Sequence, residues 1–293
     1  MSHKILILFV ALYALSCGTT KSGNKDLDKR NAKTYYSHGT NHLIAKKYTK
    51  ALQHLLKAVH FDDEDPQIHN NLAMAYFFKG QSIKAISHLK TAIDLKDNNS
   101  EAKNNLASIY YKMGKLKKAQ ALYIEVSEDL VYASQYRTYY NLALISQRLN
   151  DTRSVKIYLE NSIADNSSYC PAQFMLGKYY ENRNNLKKAF THLKKSTLNE
   201  CYQEAEPNLA VSLLLVKIKK WKLANEKLKD FINRFPSHEK IVLAKKNLKY
   251  VQRKLNQMPS DNNKFKELKA SFQQLDKEIN WLDENKSAKS PNF

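Results

Sequence analysis

The sequence predicts an all-α fold, a stack of about six helical hairpins closed by a capping helix and followed by one more amphipathic helix. Three observations predict it. Similar phrases recur every 34 residues, as Tyr48-Thr49-Lys50-Ala51, Ser82-Ile83-Lys84-Ala85 and Leu116-Lys117-Lys118-Ala119. Asn-Leu-Ala stands at 71–73, 105–107, 141–143 and 208–210, with Leu176-Gly177 in the matching place between the last two. The second half of each unit places Ala51, Ala85, Ala119, Val155, Ala189 or Ala224 four residues before Leu55, Leu89, Tyr123, Leu159, Leu193 or Leu228. Such a hairpin cannot bury its apolar face alone, so successive copies stack and share a core.

The small residue at the alanine position lets two antiparallel helices approach closely, and Gly80 and Gly114 mark the turns between them. The 34-residue period, with Leu72 and Leu106 or Tyr76 and Tyr110 in register, resembles the tetratricopeptide repeat family. That resemblance implies a solenoid of helix pairs, A and B, over 32–236. Two extra residues are expected near Leu130-Val131-Tyr132, and two more inside the sixth hairpin near Lys219-Lys220-Trp221. Pro236 is expected to stop the last repeat.

The amino terminus is read from its own pattern. A short basic start precedes the charge-free apolar run Ile5–Leu15, which is too short to span a bilayer and suits a signal-peptide core. Cys17, in Ala14-Leu15-Ser16-Cys17, resembles the lipobox of bacterial lipoproteins, with Ala14 where leucine is usual. The resemblance implies a signal peptide at 1–16 and lipidation of Cys17. Gly18 and Thr19 lack the aspartate of an inner-membrane retention signal, which implies an outer-membrane anchor facing the periplasm. Residues 17–31 are polar and are expected to be a flexible tether.

Beyond the repeats, 237–257 places Ala244, Leu248, Val251 and Leu255 on one side, as a capping helix requires. Residues 258–293 read as a linker, an amphipathic helix at 264–283 and a disordered tail. The helix either folds back or docks another chain.

The formal net charge is +20. In an exported chain this favours anionic envelope surfaces or an acidic partner over nucleic acid. Six glycines and the absence of a Gly-rich phosphate loop, a His-Glu-x-x-His helix or a nucleophile elbow exclude the usual catalytic frameworks. No enzyme activity, cofactor, metal or small-molecule substrate is expected. His38 and His42 are spaced for one helical face, but they fill positions that Leu72 and Tyr76 hold in the next unit. Packing is therefore the better account. In the repeat frame Cys170 opens one helix and Cys201 follows the next, so their sulfurs meet at one edge. They form either a disulfide or a pair of buried thiols.

In the tetratricopeptide family helix A lines the concave face. The resemblance thus implies a partner-binding groove of Asn70, Met74, Phe77 and Phe78, then Asn104, Ser108, Tyr111 and Lys112, then Tyr140, Leu144, Gln147 and Arg148. Amides and aromatics suit an extended peptide or partner helix. The alternative is that the asparagines only join repeats and the aromatics are covered by the next unit. A lipid-anchored chain of six such repeats, with Glu128–Tyr132 followed by Arg137–Ser146 at its irregular junction, resembles the pilotin-type lipoproteins of type IV pilus biogenesis. That resemblance implies binding of a secretin subunit and assistance in its outer-membrane localisation and assembly. The alternative is a scaffold for another envelope machine, in outer-membrane protein assembly or peptidoglycan enzyme regulation.

Overall fold

The computed structural model describes residues 20–258, which fall into two compact units dividing between Asp151 and Thr152. Every regular element among them is helical. Unit one contains α1 (Thr20–Ile44), α2 (Tyr48–Phe61), α3 (Pro66–Phe78), α4 (Ser82–Asp94), α5 (Ser100–Lys112), α6 (Leu116–Ser127) and α7 (Gln135–Arg148). Unit two contains α8 (Thr152–Asp165), α9 (Cys170–Asn182), α10 (Leu186–Lys195), a 3-10 turn (Asn199–Gln203), α11 (Ala205–Lys217), α12 (Trp221–Arg234) and α13 (Ile241–Asn256).

The helices start and stop where local chemistry directs. The Asp65 and Asn99 side chains accept backbone N–H groups of Gln67 and Ala102, capping α3 and α5, and Pro66 takes the first turn of α3. Six turns, after α1, α3, α5, α7, α9 and α11, share one geometry. Each has one residue at positive φ: Lys46, Gly80, Gly114, Asn150, Asn184 and Lys219. The next backbone N–H then donates to a carbonyl five residues back, as from Gln81 to Tyr76 at 2.9 Å and from Lys220 to Leu215 at 2.9 Å.

The core follows the small-residue positions. Ala51, Leu55, Leu72 and Ala75 form one cluster, and Ala73, Ala85, Leu89, Ala92, Ala102, Leu106 and Ile109 another. Gly39 and Gly177 mark close helix contacts. A Cβ there would stand 2.6 Å from Leu55 Cγ and 2.7 Å from Leu193 Cγ respectively. In unit two α13 buries Ala244 and Val251, with Leu248 and Leu255 half-buried.

Two expectations need correction. Residues 20–31 are helical and not a tether: α1 runs twelve residues ahead of the repeat frame. Residues 25–30 of this extension bury little, and Leu27 is 48% exposed. Local interactions sustain them, including an Arg30 Nε–H donated to the Asp26 carbonyl. The sixth hairpin also carries no insertion. Its turn places Lys219 five residues before Ala224, as Gly80 precedes Ala85, so Ala210-Val211-Ser212 occupies the Asn-Leu-Ala register and Asn208-Leu209-Ala210 does not. Val211 and Ser212 are buried as Leu72 and Ala73 are. The interval from Ala189 to Ala210 is one residue longer than that from Ala85 to Asn105, and the 3-10 turn takes up the difference. The extra residues expected near Leu130 do form an irregular loop, which leaves Leu130 and Val131 about 90% exposed. The signal segment, Cys17 and the 264–283 helix lie outside the described residues.

Candidate protein-binding face

All twelve residues expected to line the groove lie in unit one, on α3, α5 and α7. Of their amides, Asn70 is committed to neighbouring asparagines outside that set. Asn105 Nδ2 donates to Asn70 Oδ1 at 2.9 Å, Asn70 Nδ2 donates to Asn71 Oδ1 at 3.3 Å, and Asn71 Nδ2 donates to Thr40 Oγ1 at 2.9 Å. This ladder ties α1, α3 and α5 together. Asn70 is only 5% exposed, so it supports the stack and is not presented to a ligand, contrary to its expected place in the groove. Asn104 accepts from the buried Thr138 hydroxyl at 3.3 Å. Ser108 shares a 2.7 Å hydrogen bond with the phenol of Tyr123, whose burial pushes its pKa well above the usual tyrosine value.

What remains accessible is aromatic and cationic. Arg148 stacks its guanidinium over Tyr111 at 4.2 Å, and the Lys112 ammonium stands 5.2 Å over Phe77. Tyr140 completes this wall. Burial first, and then the neighbouring Tyr111, raise its pKa. Met74 and Leu144 are half-buried, and Gln147 is exposed. Phe77 packs against the core cluster of α3 to α6, so only part of it faces outward. Phe78 departs from the expected groove. It stacks on Tyr48 of the preceding hairpin, centroids 4.6 Å apart, and lines a different cavity at the turns.

Sequence reasoning missed a recurring polar device. Two residues before the Asn-Leu-Ala register stand His69, Gln173 and Asn208. Each reaches the carbonyl six residues upstream: His69 Nε2 to Asp63 at 2.8 Å, Gln173 Nε2 to Ser167 at 2.7 Å and Asn208 Nδ2 to Tyr202 at 3.0 Å. On their inner side, His88 Nδ1 meets His69 Nδ1 at 3.1 Å, and His192 Nδ1 meets Gln173 Oε1 at 2.8 Å. The Asp63 carbonyl can only accept, so the His69 proton sits on Nε2 and its Nδ1 accepts from His88. Tyr76 stacks on His88 and Tyr180 on His192, with Lys84 and Lys188 over the respective tyrosines. The signal was readable as His88 and His192 at matching places in their repeats.

His38 and His42 each face His54, with ring centroids at 5.5 and 5.2 Å, and His54 Nδ1 is buried without a hydrogen-bond partner among the described residues. Burial, His42 and His38 lower the His54 pKa. No group of three or more metal-ligating side chains suited to an ion occurs among the described residues. No described helix is long and apolar enough to cross a membrane. Cys170 and Cys201 are joined as a disulfide, Cα atoms 5.7 Å apart, which pins the 3-10 turn to the start of α9.

Helical hairpins with this turn, this small-residue seam and this helix-A face define a tetratricopeptide-repeat solenoid. Residues 80–138 match the sequence profile of the tetratricopeptide repeat. No curated protein matches the sequence. Among solved structures, the chain is similar to PilF of Pseudomonas aeruginosa, with TM-score 0.65 and 17% identity over 78% of this chain and 99% of that one. It is also similar to PilW, a type IV pilus biogenesis factor, with TM-score 0.62 and 17% identity over 72% of this chain and 97% of that one. A third likeness is to a chain of the APC/C Cut9–Hcn1 hetero-tetramer, with TM-score 0.61 and 18% identity over 75% of this chain but only 42% of that one. At these identities the likenesses establish the fold.

Proposed function

We propose that this chain is a protein-binding scaffold of the cell envelope that acts as a pilotin. It is lipidated at Cys17, held at the outer membrane facing the periplasm, and engages a secretin subunit through α3, α5 and α7 to assist its localisation and assembly. The observation that carries the reading is a fold that follows almost the whole of two pilus-biogenesis structures, 99% and 97% of their lengths. The aromatic and cationic wall supports it. Tyr111, Tyr140, Arg148 and Lys112 offer flat apolar surface and positive charge, while the amides beneath are already satisfied and hold the wall in place. Such a face suits an apolar segment that carries carboxylates.

The test is crosslinking and copurification of the native full chain from outer membranes, read by mass spectrometry, with Tyr111→Ala and Arg148→Ala beside it. Recovery of a secretin as the dominant partner, lost in the variants at unchanged melting temperature, is the expected result. Recovery of a barrel-assembly component or a peptidoglycan enzyme without a secretin would transfer the assignment to another envelope machine.

A further inference from the structure

Unit one is charge-polarised along its hairpins. Residues 30–61, 66–93 and 102–124 contain no aspartate or glutamate. In the first three hairpins the acids gather at the edge joining one hairpin to the next, at Asp62 to Asp65, at Asp94, which ends α4, and Asp97, and at Glu128 and Asp129, whereas the α7–α8 turn carries Asp151. The opposite edge, where each first helix turns into its second, carries Lys46, Lys47 and Lys50, then Lys79, then Lys112 and Lys115. Helix dipoles do not require this segregation, because each edge gathers one helix N-terminus and one C-terminus per hairpin. The basic edge also exposes apolar side chains: Ile44 is 75% exposed, Ile83 82% and Phe78 46%.

The first two turns flank a shallow, open recess of about 470 Å³ lined by Lys46, Lys47, Tyr48, Thr49, Lys50, Phe78 and Lys79. Its wall is the stacked Tyr48–Phe78 pair, with rings 15° from parallel. Lys79 Nζ donates to Thr49 Oγ1 at 3.2 Å, and none of the four lysines pairs with a carboxylate of the described residues. Four cations therefore surround an aromatic surface without an ion pair to any carboxylate of the described residues.

We propose that this edge is a second docking surface, which takes an acidic protein segment with an aromatic or large apolar side chain seated against Tyr48 and Phe78. A recess with an aromatic wall fits a side chain and offers little to a planar bilayer. The chain also enters unit one at the opposite edge, since α1 spans 25 residues, roughly 37 Å, between Thr20 and Ile44.

The experiment measures fluorescence anisotropy of the full chain with a labelled Asp-Glu-Asp-Phe-Glu-Asp-Glu peptide at physiological salt. Its companions are the same peptide with serine for phenylalanine and vesicles of neutral and anionic phospholipid in a ratio of about 70 to 30. We expect saturable binding that weakens about tenfold or more in Lys46→Glu/Lys47→Glu/Lys79→Glu, and about fivefold in Phe78→Ala. Tyr111→Ala, outside the lining of the recess, should leave it unchanged, so failure here and failure of the pilotin reading are separable. Equal binding by all variants, or equal affinity for the serine peptide, would overturn the proposal. So would lysine-dependent binding to the anionic vesicles without binding to the peptide, which would make the edge a lipid surface. The substituted residues are exposed lysines and a half-exposed ring, and unchanged circular dichroism verifies their folding.

Discussion

Replacing His69 with glutamine should leave the protein as stable as its parent at pH 7.5 and make it the more stable of the two at pH 5. The basis is the repeat in unit two, where Gln173 already does both jobs of His69. Its amide donates to the Ser167 carbonyl at 2.7 Å, and its oxygen accepts from His192 Nδ1 at 2.8 Å. In the parent, His88 has a pKa lowered first by burial and then by His69. An unfolded chain therefore binds a proton that the folded one refuses. Stability present above the unfolded value of about 6.5 is lost as the pH falls through it toward the lower folded value. Were His88 to stay neutral throughout, the loss at pH 5 would be about 2 kcal/mol. His88 is half-buried and His69 is the lesser cause, so solvent screening leaves about 0.5–1 kcal/mol to be recovered by the glutamine. That corresponds to roughly 1–4 °C in melting temperature for a chain of this size. Thermal unfolding of both proteins between pH 7.5 and 5 is the assay, and His54 is common to both and cancels. A stability difference between the two that does not change with pH would refute the tautomer and the coupling drawn from it.

Four other outcomes are expected. Gly177→Ala should destabilise by about 1–3 kcal/mol in urea unfolding, because the new Cβ meets Leu193 at 2.7 Å. Reducing the Cys170–Cys201 disulfide, which closes a 31-residue separation, should cost about 3–4 kcal/mol by the loop-entropy argument; intact-mass analysis after alkylation should first show the two thiols protected. Asn105→Ala should cost about 1–3 kcal/mol by leaving the buried Asn70 amide oxygen without its donor. Phe77→Ala should lower the melting temperature whereas Tyr111→Ala should not, because only Phe77 packs into the core cluster.

The period, the hairpins and the capping helix were legible because they rest on strict spacing. Ala51, Ala85 and Ala119 are all fully buried at a helix–helix seam, and Val155 is buried at the matching place. The sixth repeat was misread because Asn208-Leu209-Ala210 copies a motif by chance, two residues out of register. The turn residue Lys219 carries the true register in its positive φ, which a lysine does not advertise as Gly80 and Gly114 do. Within the expected face on α3, α5 and α7, helical spacing could not separate supporting residues such as Asn70 from accessible ones. Which amides are consumed by the ladder depends on rotamers and on neighbours 31 to 35 residues away. Phe78 was misplaced for a similar reason, since helical spacing cannot show that Tyr48 waits across the turn.

The separation of acids and lysines to opposite edges of unit one has a kinetic consequence. A charged partner approaching from beyond the Debye length, about 8 Å at physiological ionic strength, experiences a torque before any contact forms. It arrives already oriented, with its acids toward the lysine turns. Added salt should therefore slow association while leaving the dissociation rate nearly constant. In a crowded compartment, such orientation would set how quickly a newly arrived partner is captured.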